Sequence, residues 1–132
     1  MAWHQTVILK LRASGLFQEV RVVGAKVRAS IGAALFVDIH FDPTTGSYSY
    51  ALIDLTSLYP GDKRVLGWDD YAHEGVVELE RLPTFPHHFQ RRDADGRWSF
   101  EPSPMRARWA WRSTLWLLLC ASFFRHTDAS VS

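Results

Sequence analysis

Between Gly67 and Gln90 the chain gathers its densest set of side chains able to move a proton: Asp69, His73, His87 and His88, with Arg64 before them and Arg91 and Arg92 just after. Histidine changes between base and acid near neutral pH, so a carboxylate that orients one builds a general acid–base unit. Arginine adds a fork that grips phosphate oxygens. On that chemistry Asp69, His73 and His87 are the candidate catalytic residues, with Asp69 orienting either histidine, and Arg64 and Arg91 are candidate phosphate partners. The competing reading gives His87-His88 to a polar loop packed on Phe85 and Pro86, and leaves Asp69 to cap a turn.

Metal ligation is the other chemistry open to Asp69, His73, Glu74, His87 and His88, which offer nitrogen and oxygen donors. Adjacent histidines point in different directions, however, and His73-Glu74 lacks the following histidine of a zinc-protease helix. The expectation is no metal and no cofactor. His4, His40 and His126 read as surface residues, Tyr48 and Tyr50 as core aromatics rather than base-stacking ones, and Cys120 as a buried or incidental thiol.

The elements that must position this stretch follow from periodicity. Residues 5–14 place Val7, Ile8, Leu9 and Leu11 over a broad helical face and stop at Gly15, a suitable C-terminal cap. Residues 19–28 suit one half-buried strand with an irregularity at Gly24. Leu35, Val37, Ile39 and Phe41 alternate with Asp38 and His40 in the clearest strand. The turn Asp42-Pro43-Thr44-Thr45-Gly46 then leads into a returning strand over 47–55. A fourth strand spans 63–69, a long loop carrying Pro83 and Pro86 follows, and a short strand spans 97–100. Ser103-Pro104 has the form of a helix start. The expected fold is α+β: an N-terminal helix on an antiparallel sheet of four to five strands, with a C-terminal segment that is helical or irregular.

The chain of 132 residues has the size of one compact domain, and 47% hydrophobic with 22% charged residues is the balance of a packed globular protein. Its one cysteine excludes an internal disulfide and favours a reducing, cytoplasmic setting. No secretory signal is evident at the N-terminus. The uncharged run 113–124 is 12 residues long, short of the roughly 20 that cross a bilayer, so no membrane partner is expected. The net charge of +1 is uneven: residues 1–104 carry 11 basic and 13 acidic side chains, and 105–132 carry four and one. That distribution argues against a broad basic stripe for non-specific nucleic-acid binding.

From about Ala13 to Pro104 the order of features resembles the TumE-type toxins of bacterial toxin–antitoxin modules. The resemblance rests on Ala13-Ser14-Gly15-Leu16, Tyr48-Ser49-Tyr50, Arg64-Val65-Leu66-Gly67-Trp68-Asp69 and Leu82-Pro83-Thr84-Phe85-Pro86-His87-His88. The sequence departs from that family's pattern at Asp70, Ala72, Glu74 and Gln90, where asparagine, proline and two histidines are usual. The resemblance implies a toxin acting on RNA or the translation machinery, a metal-independent ribonuclease in its catalytic form, held by a cognate antitoxin of helix-turn-helix type. Trp68 and His88 join Arg64 and Arg91 as its substrate-binding residues. The alternative is a non-catalytic module that docks the antitoxin or blocks a cellular target.

The tail divides from this domain at residue 104. Residues 105–132 are apolar and basic where the resemblance implies an amphipathic helix with acidic residues. Two readings stay open: a genuine apolar segment, or a frame-shifted C-terminal helix, since shifting the frame turns each tryptophan codon into one for Leu, Met or Val.

Overall fold

A computed structural model describes residues 3–103. The Ser103-Pro104 helix start and both readings of the tail lie outside the described residues, apart from Ser103 itself.

The first helix, α1 (Trp3–Ser14), turns only part of its apolar stripe inward: Val7 and Leu11, four residues apart, are buried, whereas Leu9 is 56% exposed. It ends where Gly15 adopts φ 69°, with the Ser14 hydroxyl donating to the Leu11 carbonyl at 2.6 Å. Seven strands follow: β1 (Glu19–Val23), β2 (Lys26–Ser30), β3 (Leu35–Phe41), β4 (Tyr48–Asp54), β5 (Arg64–Asp69), β6 (His88–Arg92) and β7 (Trp98–Pro102). All neighbours are antiparallel and the sheet runs in chain order, so each strand returns beside its predecessor. A four-residue helix, α2 (Val77–Glu80), interrupts the connection between β5 and β6.

The α+β class and the N-terminal helix agree with expectation, and the strand number is corrected from four or five to seven among the described residues. Two differences account for it. Residues 19–28 form two strands, because Gly24 at φ 60° turns the chain through a tight hairpin whose last pair is Val23 and Lys26. The long loop after Asp70 also contains β6, whose inward residues are polar and so carry no apolar alternation.

The core lies on one face of the sheet, where Val20, Val27, Val37, Ile39, Tyr50, Leu52 and Trp68 form one buried cluster with Val7 and Leu11 of α1. Among the described residues no helix is long and apolar enough to cross a membrane.

Candidate functional site

Side chains alternate across a strand, and residues paired directly across two antiparallel strands share a face. The pairs Tyr50–Trp68 and Trp68–Phe89 put the Trp68 side on the core face. The pairs Ser49–Asp69 and Asp69–His88 put Asp69 and His88 on the other face, next to Gly67 and Gln90. Gly67 permits this arrangement: a Cβ there would lie 2.4 Å from the Tyr50 carbonyl oxygen, a contact only glycine avoids.

On that second face Asp69 and His88 form the centre of a buried polar cluster. His88 Nε2 stands 3.1 Å from Asp69 Oδ1 and 2.9 Å from Gln90 Oε1, and Nδ1–H donates to the Pro86 carbonyl at 2.8 Å. His88 is 0% exposed, Asp69 4% and Gln90 6%. The rings of Phe100 and His73 close over His88 with centroids at 5.6 Å and 5.5 Å. Burial pushes the Asp69 carboxyl above its ordinary range, opposed by the electrostatic pull of His88, the Tyr71 amide that donates to Oδ1, His73 and Arg64.

His73 brings the cluster to solvent. Its Nε2 lies 4.0 Å from Asp69 Oδ1, and its side chain is 40% exposed. Its backbone has φ 40°, in the left-handed region that costs a residue with a Cβ, and the His73 carbonyl accepts from the Val76 amide at 3.2 Å. The turn thus presents the ring towards Asp69.

The other expected residues divide. His87 leaves the cluster altogether: its Nδ1 meets the Tyr48 hydroxyl at 2.8 Å and its ring stacks on Tyr48 with centroids at 5.7 Å. Tyr48 is a core residue, so the expected pairing of Asp69 with His87 is replaced by one with His88. His88, expected to touch substrate, is sealed inside. Trp68 is buried on the core face against Phe89, with ring centroids at 4.6 Å. Arg91 also faces away, because it pairs with Leu66 across the ladder, and its Nε lies 3.2 Å from Glu101 Oε2.

Arg64 is on the right face but is held by Asp62, Nε to Oδ2 at 2.7 Å. It borders an open cavity of about 400 Å³ whose lining includes Lys26, Arg28, Asp38, His40 and Lys63. Arg28 and Asp38 meet there as a two-bonded fork, at 2.8 and 3.0 Å. Arg92, beyond Gln90 on the same face, lies between Tyr59 and Trp98, 4.6 Å from each ring centre, and donates to the Asp62 carbonyl.

Gln90 and Arg28 were not expected at the site. The cross-strand register would have found both: Arg28 pairs with Asp38, and Gln90 is two residues from His88 on the same strand face. Asp70 is likewise structural, its Oδ1 accepting from the Ser47 hydroxyl at 2.7 Å and tying β4 to the end of β5. No family model, no curated protein and no solved structure matches this chain.

Proposed function

We propose that this chain is a TumE-type toxin that acts on RNA in the cytoplasm and is held by a cognate antitoxin of helix-turn-helix type. The observation that supports a catalytic role is the Asp69 carboxylate shared by a buried histidine, His88, and an exposed one, His73. His88 and the Tyr71 amide fix the carboxylate, and the carboxylate faces His73 Nε2, which leaves Nδ1 as the atom that meets substrate. In RNA cleavage His73 takes the 2′-hydroxyl proton, the 2′-oxygen attacks phosphorus, and the 5′-oxygen leaves with a proton returned from the imidazolium. The products are a 2′,3′-cyclic phosphate and a 5′-hydroxyl. The cationic groups Lys26, Arg28, Lys63 and Arg64 around the cavity form the phosphate-binding surface on the same face.

A second reading is favoured by one specific observation. Of the three expected imidazoles, His88 is sealed and His87 faces the core, so His73 alone reaches solvent from the cluster. A binding module needs no acid–base pair, and it would use the same cationic face to block its target.

Growth after induction separates the two. His73→Ala, an exposed change that spares the fold, is expected to abolish growth arrest together with the appearance of cyclic-phosphate RNA ends. Full arrest by His73→Ala, with no new RNA ends from either protein, would remove the catalytic reading and leave the binding module.

A further inference from the structure

The hydrogens around His88 do not add up. The Pro86 carbonyl only accepts, so the proton of a neutral His88 ring resides on Nδ1. Nε2 is then a lone pair, yet it faces Asp69 Oδ1 at 3.1 Å and Gln90 Oε1 at 2.9 Å, both acceptors. Turning the Gln90 amide over supplies one N–H, but the carboxylate oxygen still confronts the ring nitrogen. Buried lone pairs left facing one another are costly. Something positive belongs between them.

A metal-binding histidine has this arrangement: one nitrogen donates to a backbone carbonyl, which fixes the tautomer, and the other offers its lone pair inward. A third donor is at hand, since the ligand atoms of Asp69, His73 and His88 all lie within 4.8 Å of one another. In a tetrahedral site with bonds of about 2.0–2.1 Å, donors stand roughly 3.3 Å apart. The Asp69–His88 pair is already near that separation, and the exposed His73 ring stands 4.0 Å from Asp69.

We infer that Asp69, His73 and His88 form a three-ligand site for a borderline divalent cation of the zinc class, open to water on the His73 side. This departs from the sequence argument, which weighed Asp69, His73, Glu74, His87 and His88 as donors and set them aside because adjacent histidines point in different directions. The sheet resolves the difficulty by sending His87 to the other face and leaving Asp69, His73 and His88 together. The inference does not rest on action at RNA. The two are linked, because a cation held between Asp69 and His73 Nε2 takes up the carboxylate that partners the imidazole, so bound metal silences the acid–base unit.

Calorimetric titration of the full chain with Zn²⁺ alone, after dialysis against a chelator, tests it without RNA. Binding of one equivalent is expected in the wild type and in the control His40→Ala. His73→Ala and Asp69→Asn are each expected to weaken it by at least about tenfold. Co²⁺ should give visible d–d absorption in the wild type that His73→Ala removes. Absence of binding in the wild type, or equal affinity in wild type and His73→Ala, overturns the site and means that a proton fills the gap between His88 and Asp69. Either outcome leaves the growth-arrest experiment to decide the RNA reading by itself.

Discussion

On the core face of β5 and β6, Trp68 and Phe89 stack with ring centroids 4.6 Å apart; one residue further on in β5 and one back in β6, on the opposite face, Asp69 and His88 meet at 3.1 Å. The same two strands therefore carry an aromatic contact on one side and a buried polar contact on the other. The difference is most direct in the adjacent histidines, where His87 is held by Tyr48 on the core side and His88 by Asp69, Gln90 and Pro86 on the other. Because strand alternation has a period of two, a slip of one residue in β6 would exchange their roles. The start of β6 is pinned against that slip: the Thr84 hydroxyl donates to the His87 carbonyl at 2.7 Å and accepts from the Ser103 amide at 3.2 Å. What a histidine can do here is decided by register more than by residue type.

The strongest way to break the comparison is to disturb the strand that divides the faces. Gly67→Ala puts a Cβ 2.4 Å from the Tyr50 carbonyl oxygen, and both groups are anchored in the sheet. The expected loss is about 3 kcal/mol in urea denaturation, at the upper end of ordinary overpacking. Gly32→Ala is the control, since a Cβ there meets nothing within 4 Å, and its effect is expected within about 0.5 kcal/mol. Equal stabilities of the two variants would mean that β4 and β5 do not approach as closely as this arrangement requires.

Much of the scaffold is legible in the sequence. The alternation of Leu35, Val37, Ile39 and Phe41 opposite Asp38 and His40 marks β3 because one face is core and the other is not. The same rule hides β6: its inward residues on the second face, His88 and Gln90, are buried and polar, so the chemistry of the site erases the alternation that would announce a strand. Gly24 was ambiguous for a different reason. A positive φ between short valine-rich runs serves a bulge or a hairpin equally, and only the pairing of Val22 with Val27 decides for the hairpin. At the site, Asp69 and His73 were legible from residue type and spacing. The exchange of His87 for His88, and the loss of Trp68 and Arg91 to the core-side face, depended on a strand that was not.

A gentler change sharpens the contrast between the histidines. Tyr48→Phe removes the hydroxyl that meets His87 Nδ1 while keeping the ring in the core. Loss of about 1 kcal/mol is expected, the ordinary net worth of such a hydrogen bond. Growth arrest on induction should be unchanged, because the change lies on the face that does not carry Asp69. If Tyr48→Phe were to lose toxicity at wild-type stability, His87 would return to the site and the division between faces would fail.

The smallest effect concerns the Asp69 carboxyl itself, where burial and charge oppose each other. Burial, the larger influence, raises its pKa above 3.8, whereas His88, the Tyr71 amide, His73 and Arg64 draw it down. Between pH 3.8 and the raised value the folded chain then holds more protons at this group than the unfolded chain does. Its contribution to stability therefore falls as pH rises through that window and is level above it. Asp69→Asn lacks the titration, so the stability of the wild type relative to Asp69→Asn, measured in chelator by urea denaturation, should be greater at the acid end and decline towards neutral pH. A relative stability that instead grows as pH rises would show that attraction to a positively charged His88 outweighs burial. The second face would then be an ion-pair surface whose carboxylate is held ionised, and the two faces would differ in charge as well as in polarity.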